Sequence, residues 1–271
     1  MIKKKTIVLK YGGNAMTDIG IKNQLLENIS NLIKKSYHII IVHGGGPFIQ
    51  KALEKANIVS EFIDGQRKTS EEALIEVEKV LKGNVNGDLV KILNSKNCKA
   101  VGLSGKDGKT LIAKKRFHIS KTNQSIDLGQ VGDVESVDPN LIKILIDNNY
   151  TPVITCIASD IAGKDYNINA DNFAGHIAGA LKADEFVVLT DVDGLLNDID
   201  KPDSLIERIH TTSLNKLYDD GIIKGGMIPK LEACKTALIN GATSCRIING
   251  TKPNQLLEIF EGKNIGTQII K

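Results

Sequence analysis

Short runs of β-branched residues alternate along this chain with longer segments that carry apolar residues at helical spacing, and this alternation limits the possible folds most strongly. Strands are predicted at 6–10, 37–43, 99–103, 151–158, 185–190, 244–248 and 267–270. Most are separated by enough residues for a helix, which is how parallel strands are usually connected. The sequence therefore predicts an α/β fold, a three-layer α/β/α sandwich with a largely parallel central sheet.

Capping residues and prolines indicate where the helices begin. Thr17 or Asp18 is predicted to cap the first helix, and Pro47 suits the first position of the second. Thr69 and Glu72 form a capping-box pair for a helix that runs toward Gly83. Further helices are predicted from about 138–139, 171, 229 and 253. Residues 109–137 mix short β-like runs with Gly, Asp and Asn, so we expect hairpins laid over a sheet edge.

The bulk composition is that of one ordinary globular domain. The chain has 271 residues, is 41% hydrophobic and 25% charged, and has no Pro/Gly/Ser-rich linker, so we expect one domain, 1–271, with two lobes on one sheet. A net charge of +3 with scattered lysines argues against a nucleic acid partner. The first apolar run, Thr6 to Leu9, is too short for a signal peptide, and no segment approaches a membrane span. We therefore expect a cytoplasmic protein.

Residues 41–50, IVHGGGPFIQ, place three glycines and a proline directly after the second strand. An HGGG loop forms the oxyanion hole of lipases and esterases, which also require a serine on a G-x-S-x-G elbow. The nearest candidate, 102–106, has Lys106 where the second glycine is required, so the hydrolase interpretation is disfavoured. The stretch GLSGKDGKT also misses the spacing of a Walker A loop, and we interpret it as structural.

Two glycine turns follow strands in the first half of the chain, at 10–13 and at 43–46. They lie at the carboxyl ends of their strands, where open α/β sheets usually bind ligands. Glycine leaves backbone N–H groups accessible, and Lys10 adds a positive charge, so the pair suits phosphate. Taken alone, either turn is equally well explained as a tight strand-to-helix connection.

Two later segments add a cation and an acid. Lys230 lies in the predicted first turn of a helix, where a cation opposes the helix dipole unless an anion neutralises it. The alternative is a lysine in solvent with Glu232 offsetting it. Asn167, Asn169 and Asp171 crowd another helix start, and capping explains only one of them. Asp171 either orients lysines or a metal-bound nucleotide, or it caps the helix.

Together these segments resemble the amino acid kinase family. The resemblance covers nearly the whole chain, through KYGG, VHGGGPFI, GQRKTSEEALIEVEKVLKGNVN, AVGLSGKDG, NINAD, VVLTDVDGLL, GGMIPKLEA and IGTQII. It implies an amino acid kinase-like fold and ATP-dependent phosphorylation, with Mg²⁺, of the side-chain carboxylate of N-acetyl-L-glutamate in the second step of arginine biosynthesis. Such a carboxylate is already ionised at neutral pH, so the chemistry requires positive charge and oriented N–H groups but no general base.

The resemblance also implies the role of individual residues. Lys10 and Lys230 would stabilise the transferring phosphoryl group, and Asp171 would hold both lysines in place. The substrate would contact Gly45, Gly46, Arg67 and Asn167, with Arg67 on its α-carboxylate. The loops implied around ATP are 191–196 and 222–230. The residues implied at ATP are Gly13, Asp191, Val192, Asp193, Gly194, Leu195, Leu196, Gly225, Gly226 and Met227. The lobe at about 1–165 would bind the acyl amino acid and that at about 166–271 would bind ATP; no protein metal ligand is predicted, and His43 is interpreted as structural.

The sequence departs from the family pattern G-[LM]-R-V-T at Gly65–Thr69, where Gln66 and Lys68 flank the substrate arginine. A related acylamino-dicarboxylate kinase, acting on an acetylaminoadipate-like substrate of lysine biosynthesis, is therefore the alternative. A regulator that kept the fold and lost catalysis is opposed by the presence of both lysines. Nine residues precede Lys10, whereas arginine-inhibited hexameric members carry an extra N-terminal helix. The resemblance therefore implies a homodimer without arginine feedback.

Overall fold

The computed structural model describes residues 4–63, 65–119 and 123–271, and its elements alternate as the sequence predicts. In chain order the strands are β1 (Thr6–Tyr11), β2 (His38–His43), β3 (Glu61–Ile63), β4 (Gln66–Lys68), β5 (Ala100–Ser104), β6 (Leu111–Ile119), β7 (Ser125–Val137), β8 (Thr151–Thr155), β9 (Ile157–Ser159), β10 (Asp165–Ile168), β11 (Glu185–Thr190), β12 (Arg208–His210), β13 (Cys245–Asn249) and β14 (Thr267–Ile270). The helices are α1 (Ile19–Lys34), α2 (Gly46–Lys55), α3 (Glu71–Glu78), α4 (Asn86–Ser95), α5 (Asn140–Asp147), α6 (Ala170–Ala180), α7 (Leu214–Asp219), α8 (Met227–Ile239) and α9 (Gln255–Phe260).

The central sheet has the strand order β12-β14-β13-β11-β1-β2-β8-β5. Within the described residues its pairings are parallel except that between β13 and β14. Helices cover both faces, with α1, α4 and α9 packed on one and α6 and α8 on the other. The prediction of a three-layer α/β/α fold with a largely parallel sheet is therefore confirmed. Among the described residues no helix is both long and apolar enough to cross a bilayer.

Strand β1 shows how the alternation of side chains assigns residues to the two faces. Leu9 and Tyr11 pack with α1 and α9, whereas Val8 packs in the cluster that contains α6 and α8. Because successive side chains of a strand point to opposite faces, Lys10 lies on the α6–α8 face. In β2 the same alternation places His43 on the α1–α4 face.

The expected hairpin over the sheet edge and the expected continuous strand at 151–158 are both corrected. Strands β6 and β7 do form a hairpin, but with β9 and β10 it closes a separate four-stranded barrel. The predicted strand divides at Cys156, so that β8 joins the central sheet and β9 joins the barrel. Both pieces are buried and apolar, and an apolar run does not reveal which sheet each half joins.

The predicted helix starts lie within two residues of the observed ones, but α7 was not predicted and the cap of α3 differs. Asp18 caps α1 by accepting a hydrogen bond from the N–H of Ile21 (2.8 Å). The cap of α3 is Ser70 rather than Thr69. The backbone of Thr69 is bonded to β7 instead, since its carbonyl oxygen accepts a hydrogen bond from the N–H of Gln130. This helix also continues past Gly83, through a π-helical segment Lys79–Val85 into α4.

The close contact of α6 with α8 depends on glycine. A Cβ added at Gly175 would lie 2.5 Å from the carbonyl oxygen of Ala233 in α8. We expect Gly175→Ala to lower the free energy of unfolding by about 1–3 kcal/mol, because the helices must separate to admit the methyl group.

The matched control is Gly87→Ala in α4, where an added Cβ has no described atom within 4 Å. Alanine there is expected to raise the free energy of unfolding by about 0.5–1 kcal/mol through its helix propensity. Urea denaturation of both variants measures the difference. Equal midpoints would show that the α6–α8 contact is less tight than the geometry indicates.

Candidate active site

Lys10, Asp171 and Lys230 meet at the carboxyl edge of the central sheet. Lys10 is near the end of β1, Asp171 lies in the first turn of α6, and Lys230 lies in the first turn of α8. The Nζ of Lys10 is 3.0 Å from Oδ1 of Asp171, and the Nζ of Lys230 is 3.7 Å from Oδ2. One carboxylate therefore bridges two ammonium groups that are far apart in the sequence.

This cluster is withdrawn from water, since Lys10 is 7% exposed and Asp171 is 5% exposed. Burial by itself raises the pKa of Asp171, but the positive charges of Lys10 and Lys230 outweigh burial and leave that pKa lowered. Asp171 is therefore ionised at neutral pH. Two ammonium groups against one carboxylate leave an excess positive charge, which favours an anion at this position.

The cap of α6 is Asn169, whose side chain accepts hydrogen bonds from the N–H groups of Asp171 (2.9 Å) and Asn172 (3.1 Å). The carboxylate of Asp171 is consequently directed to the lysines and is not the cap. Asn167 precedes this start in β10, and no hydrogen bond of its side chain is found among the described residues. Its amide is thus available to a ligand.

The two glycine turns border the cluster. A Cβ added at Gly12 would lie 3.1 Å from the Nζ of Lys10, and one added at Gly44 would lie 3.2 Å from the Cβ of Ala170 in α6. The N–H of Gly44 donates to the carbonyl oxygen of Tyr11 (3.1 Å), which joins the second turn to the first. The turns after β1 and β2 thus form one continuous backbone surface beside Lys10, which we call the glycine wall.

Two helix starts without side-chain caps face this region. Gly45 is the N-cap residue of α2 and Gly226 that of α8, and within the described residues neither helix receives a capping side chain. A Cβ built at Gly13, Gly46, Gly225 or Gly226 would have no described atom within 4 Å. Backbone at these glycines therefore borders open space, and the first-turn N–H groups of α2 can bind an anion. In α8 the N–H groups of Met227 and Ile228 already donate to backbone carbonyl oxygens and Pro229 has none, so the anion-binding group there is the ammonium of Lys230.

A cavity of about 590 Å³ extends from Lys230 along the loops after β11 and before α8. Of the residues predicted at ATP, those that line it are Asp191, Val192, Gly194, Leu195, Leu196, Gly226 and Met227. Ile222 and Lys224, within the predicted loop 222–230, also line it. The lining residues that the sequence did not predict are Thr190, Asn197, Asp198, Ile199, Asp200, Asp220 and Gly221. These directly flank the two predicted loops, so extending each loop by a few residues finds most of them.

Asp193, Gly225 and Gly13 do not line this cavity. Asp193 pairs with Lys252 (2.8 Å) and accepts a hydrogen bond from the amide of Asn249 (3.1 Å). The hydrogen bond from Lys252 lowers the pKa of Asp193. Asp193 therefore braces the loop after β11 against the end of β13.

Arg67 lies in the β3–β4 hairpin and does not contact the lysine cluster. Its Nη1 donates to Oε1 of Gln50 (2.9 Å) and contacts Oγ of Ser60, while its guanidinium lies 4.5 Å above the ring of Phe62. Gln50 is one turn after Gly46 in α2, so the backbone of the residue that Arg67 contacts lies about 6 Å along the helix axis from the uncapped start. Arg67 is thus near the glycine wall, held by neutral partners.

The two departures from the family pattern lie on the other face of β4 from Arg67, because side chains alternate along a strand. Lys68 pairs with Glu61 (3.0 Å) at the surface, and the amide of Gln66 is 3.4 Å from Nδ1 of His118 in the barrel. The residues that flank Arg67 therefore do not share its contacts.

The loop that nearly matches a Walker A motif has structural partners. Lys106 pairs with Glu78 (2.5 Å) in α3 and with Asp165 (2.9 Å) in β10. A smaller cavity of about 310 Å³ lies behind the start of α2, beside Phe48 and Val85, and none of the cluster residues lines it. Within the described residues no group of three or more His, Cys, Asp or Glu side chains is placed to hold a metal ion.

Comparison with known proteins places this geometry in a family. The model of the amino acid kinase family matches residues 5–249. Acetylglutamate kinase of Methanocaldococcus jannaschii is 46% identical over 98% of this chain and 91% of that protein, and that of Heliobacterium modesticaldum is 43% identical over 98% and 92%. Carbamate kinase from Giardia lamblia bound to AMP-PNP shares the fold, with a TM-score of 0.72, 20% identity and full coverage of both chains. The chain belongs to the amino acid kinase family.

Proposed function

We propose that this protein transfers the γ-phosphoryl group of ATP to the side-chain carboxylate of N-acetyl-L-glutamate, giving N-acetylglutamyl 5-phosphate and ADP in the second step of arginine biosynthesis. The observation that carries the proposal is the Lys10–Asp171–Lys230 cluster between two glycine-bordered helix starts. Relatives at 43–46% identity over nearly the whole chain are acetylglutamate kinases, which supports this substrate.

The proposed mechanism uses fixed charge. The attacking carboxylate and the phosphates of ATP are all anionic, so the cluster must reduce their repulsion and stabilise charge on the transferring oxygens. Lys10 and Lys230 supply positive charge from two sides, and Asp171 keeps both ammonium groups in place. The N–H groups of Gly13, Gly45 and Gly46 would add donors beside Lys10. No residue has to remove a proton.

We place ATP in the 590 Å³ cavity, with its phosphates at Lys230 and the start of α8. Apolar side chains on the lining, such as Val192, Ile222 and Met227, suit the adenine base. The acyl amino acid would then lie on the β2–α2 side, with its α-carboxylate at Arg67 and a contact to Asn167. This assignment corresponds to an acyl amino acid lobe at about 1–165 and an ATP lobe at about 166–271.

Mg²⁺ is proposed to accompany ATP. Mg²⁺ usually keeps several waters and binds substrate phosphates, and it would neutralise part of their charge. Of the residues predicted at ATP, Asp191 lines the same cavity as Lys230, and its carboxylate is of the ligand type that Mg²⁺ binds. The homodimer and the cytoplasmic location rest on the sequence alone and stay proposals.

The substrate preference is tested with N-acetyl-L-glutamate and its homologue that is one carbon longer. We expect a higher kcat/KM for N-acetyl-L-glutamate, because Gln66 and Lys68 face away from Arg67 and the relatives are acetylglutamate kinases. A coupled assay of ADP release measures both substrates. Preference for the longer acid would favour the lysine-pathway alternative, and turnover of neither would contradict the proposed function.

Replacement of Lys230 by methionine is expected to lower kcat about 100-fold or more, with a smaller change in either KM, because its charge acts most strongly on the transition state. The control is Lys216→Met, which removes the same charge from an exposed position of α7 and is expected to leave kcat unchanged. Steady-state kinetics measure kcat and both KM values for the two variants. An unchanged kcat in Lys230→Met would remove this lysine from the mechanism.

Arg67→Ala is expected to raise the KM for the acyl amino acid about tenfold or more, because a charge-assisted contact to its α-carboxylate is lost. The KM for ATP should change little. Lys68→Ala is the matched control, since the adjacent residue on the same strand points the other way and pairs with Glu61. A defect confined to the KM for ATP would show that the assignment of Arg67 is wrong.

A further inference from the structure

His43 is a buried side chain that the proposed mechanism does not use. It is the last residue of β2, it is 0% exposed, and it directly precedes the glycine turn. Burial lowers the pKa of His43 to about 4. The hydrogen bond to the carbonyl of Gly44 opposes this shift, and the positive charge of Lys82 lowers the pKa further. The imidazole is therefore neutral at physiological pH, with one ring N–H and one unprotonated ring nitrogen.

Asn86 of α4 identifies which ring nitrogen carries the proton. Its Nδ2 is 2.9 Å from Nε2 of His43 and 2.9 Å from the carbonyl oxygen of Val153. A carbonyl oxygen only accepts, so the amide nitrogen of Asn86 must face Val153, and its other hydrogen points to His43. The Nε2 of His43 therefore accepts, and the proton resides on Nδ1.

The Nδ1–H of His43 donates to the carbonyl oxygen of Gly44, at 2.9 Å. In a trans peptide the carbonyl oxygen and the following N–H point in opposite directions, so this bond directs the N–H of Gly45 away from His43. His43 lies on the α1–α4 face, and the lysine cluster lies on the opposite face. We propose that His43 and Asn86 are positioning residues that hold the Gly44–Gly45 peptide with its N–H toward the phosphoryl-transfer site, an inference that rests on the proposed function.

The absence of a side chain at Gly102 of β5 leaves the space that the amide of Asn86 occupies. A Cβ added there would lie 2.1 Å from Oδ1 of Asn86, so any other residue would displace the amide. Asn86 itself is 2% exposed and both of its amide hydrogens are used. A hydrogen-bond relay thus runs from Val153 of β8 through Asn86 of α4 and His43 of β2 to the backbone of the glycine turn.

Two substitutions of His43 separate its two hydrogen bonds. The amide of His43→Asn is placed near the position of Nδ1 and can still donate to Gly44, whereas that of His43→Gln reaches the position of Nε2 and can only satisfy Asn86. We expect His43→Gln to lower kcat about tenfold to 100-fold with a smaller change in KM, as for a lost transition-state donor. His43→Asn should stay close to wild type in kcat.

Thermal melts of both variants report how much of each is folded, and kcat is expressed per folded protein. A merely structural role predicts that both variants lose stability and keep wild-type kcat. That result, or an equal loss of kcat in both variants, would overturn the inference.

A measurement on the wild-type protein does not depend on folding of the variants. Long-range ¹H–¹⁵N correlation spectra distinguish Nδ1–H, Nε2–H and doubly protonated rings, and the His43 signal is identified by its loss in His43→Asn. A neutral Nδ1–H form between pH 6 and 8 is expected from its pKa of about 4. An Nε2–H or imidazolium form would contradict the relay even in an active enzyme. Inactivity of the wild type toward acyl dicarboxylates would contradict the proposed function and leave the tautomer measurement intact.

Discussion

The buried carboxylate of Asp171 is the constraint on which the site depends, because it is the counter-charge for two lysines that converge on it from distant parts of the chain. An ammonium group withdrawn from water loses several kcal/mol of hydration unless an opposite charge lies nearby. Asp171 compensates Lys10 at 3.0 Å and, more weakly, Lys230 at 3.7 Å. One positive charge is left without a partner in the cluster. A bound phosphate would supply that partner, so the electrostatics that require Asp171 also favour the proposed ligand.

The positions of these three charges depend on the strand register of β1 and on the packing of α6 against α8. Lys10 reaches Asp171 because it points to the α6–α8 face of β1, and a shift of one residue would direct it to the other face. Lys230 reaches Asp171 because α8 approaches α6 closely, with Gly175 against the backbone of Ala233. The glycine wall has a comparable basis, since Gly44 packs on the first residue of α6. Stability and proposed activity therefore depend on the same contacts.

Much of the fold could be predicted from the sequence because local rules decide it. Short runs of β-branched residues marked the strands, Asp18 capped the helix that its position indicated, and both glycine turns were found at the ends of β1 and β2. The errors have one cause. Thr69 lost the capping role to Ser70 because its backbone pairs with β7, and the predicted strand divided at Cys156 because its second half joins the barrel, where it pairs with β6. Both outcomes depend on segments distant in sequence.

The sequence by itself determined the strands of the central sheet except β12, the residue types at the candidate site and the resemblance to a family. Only the tertiary structure decided that Asn169 rather than Asp171 caps α6, that Asp193 turns to Lys252, and that His43 donates to the glycine turn. The physical reason is the range of the interactions. Periodicity, capping and turn chemistry act between neighbours along the chain, whereas ion pairs, buried tautomers and desolvation depend on which distant elements pack together.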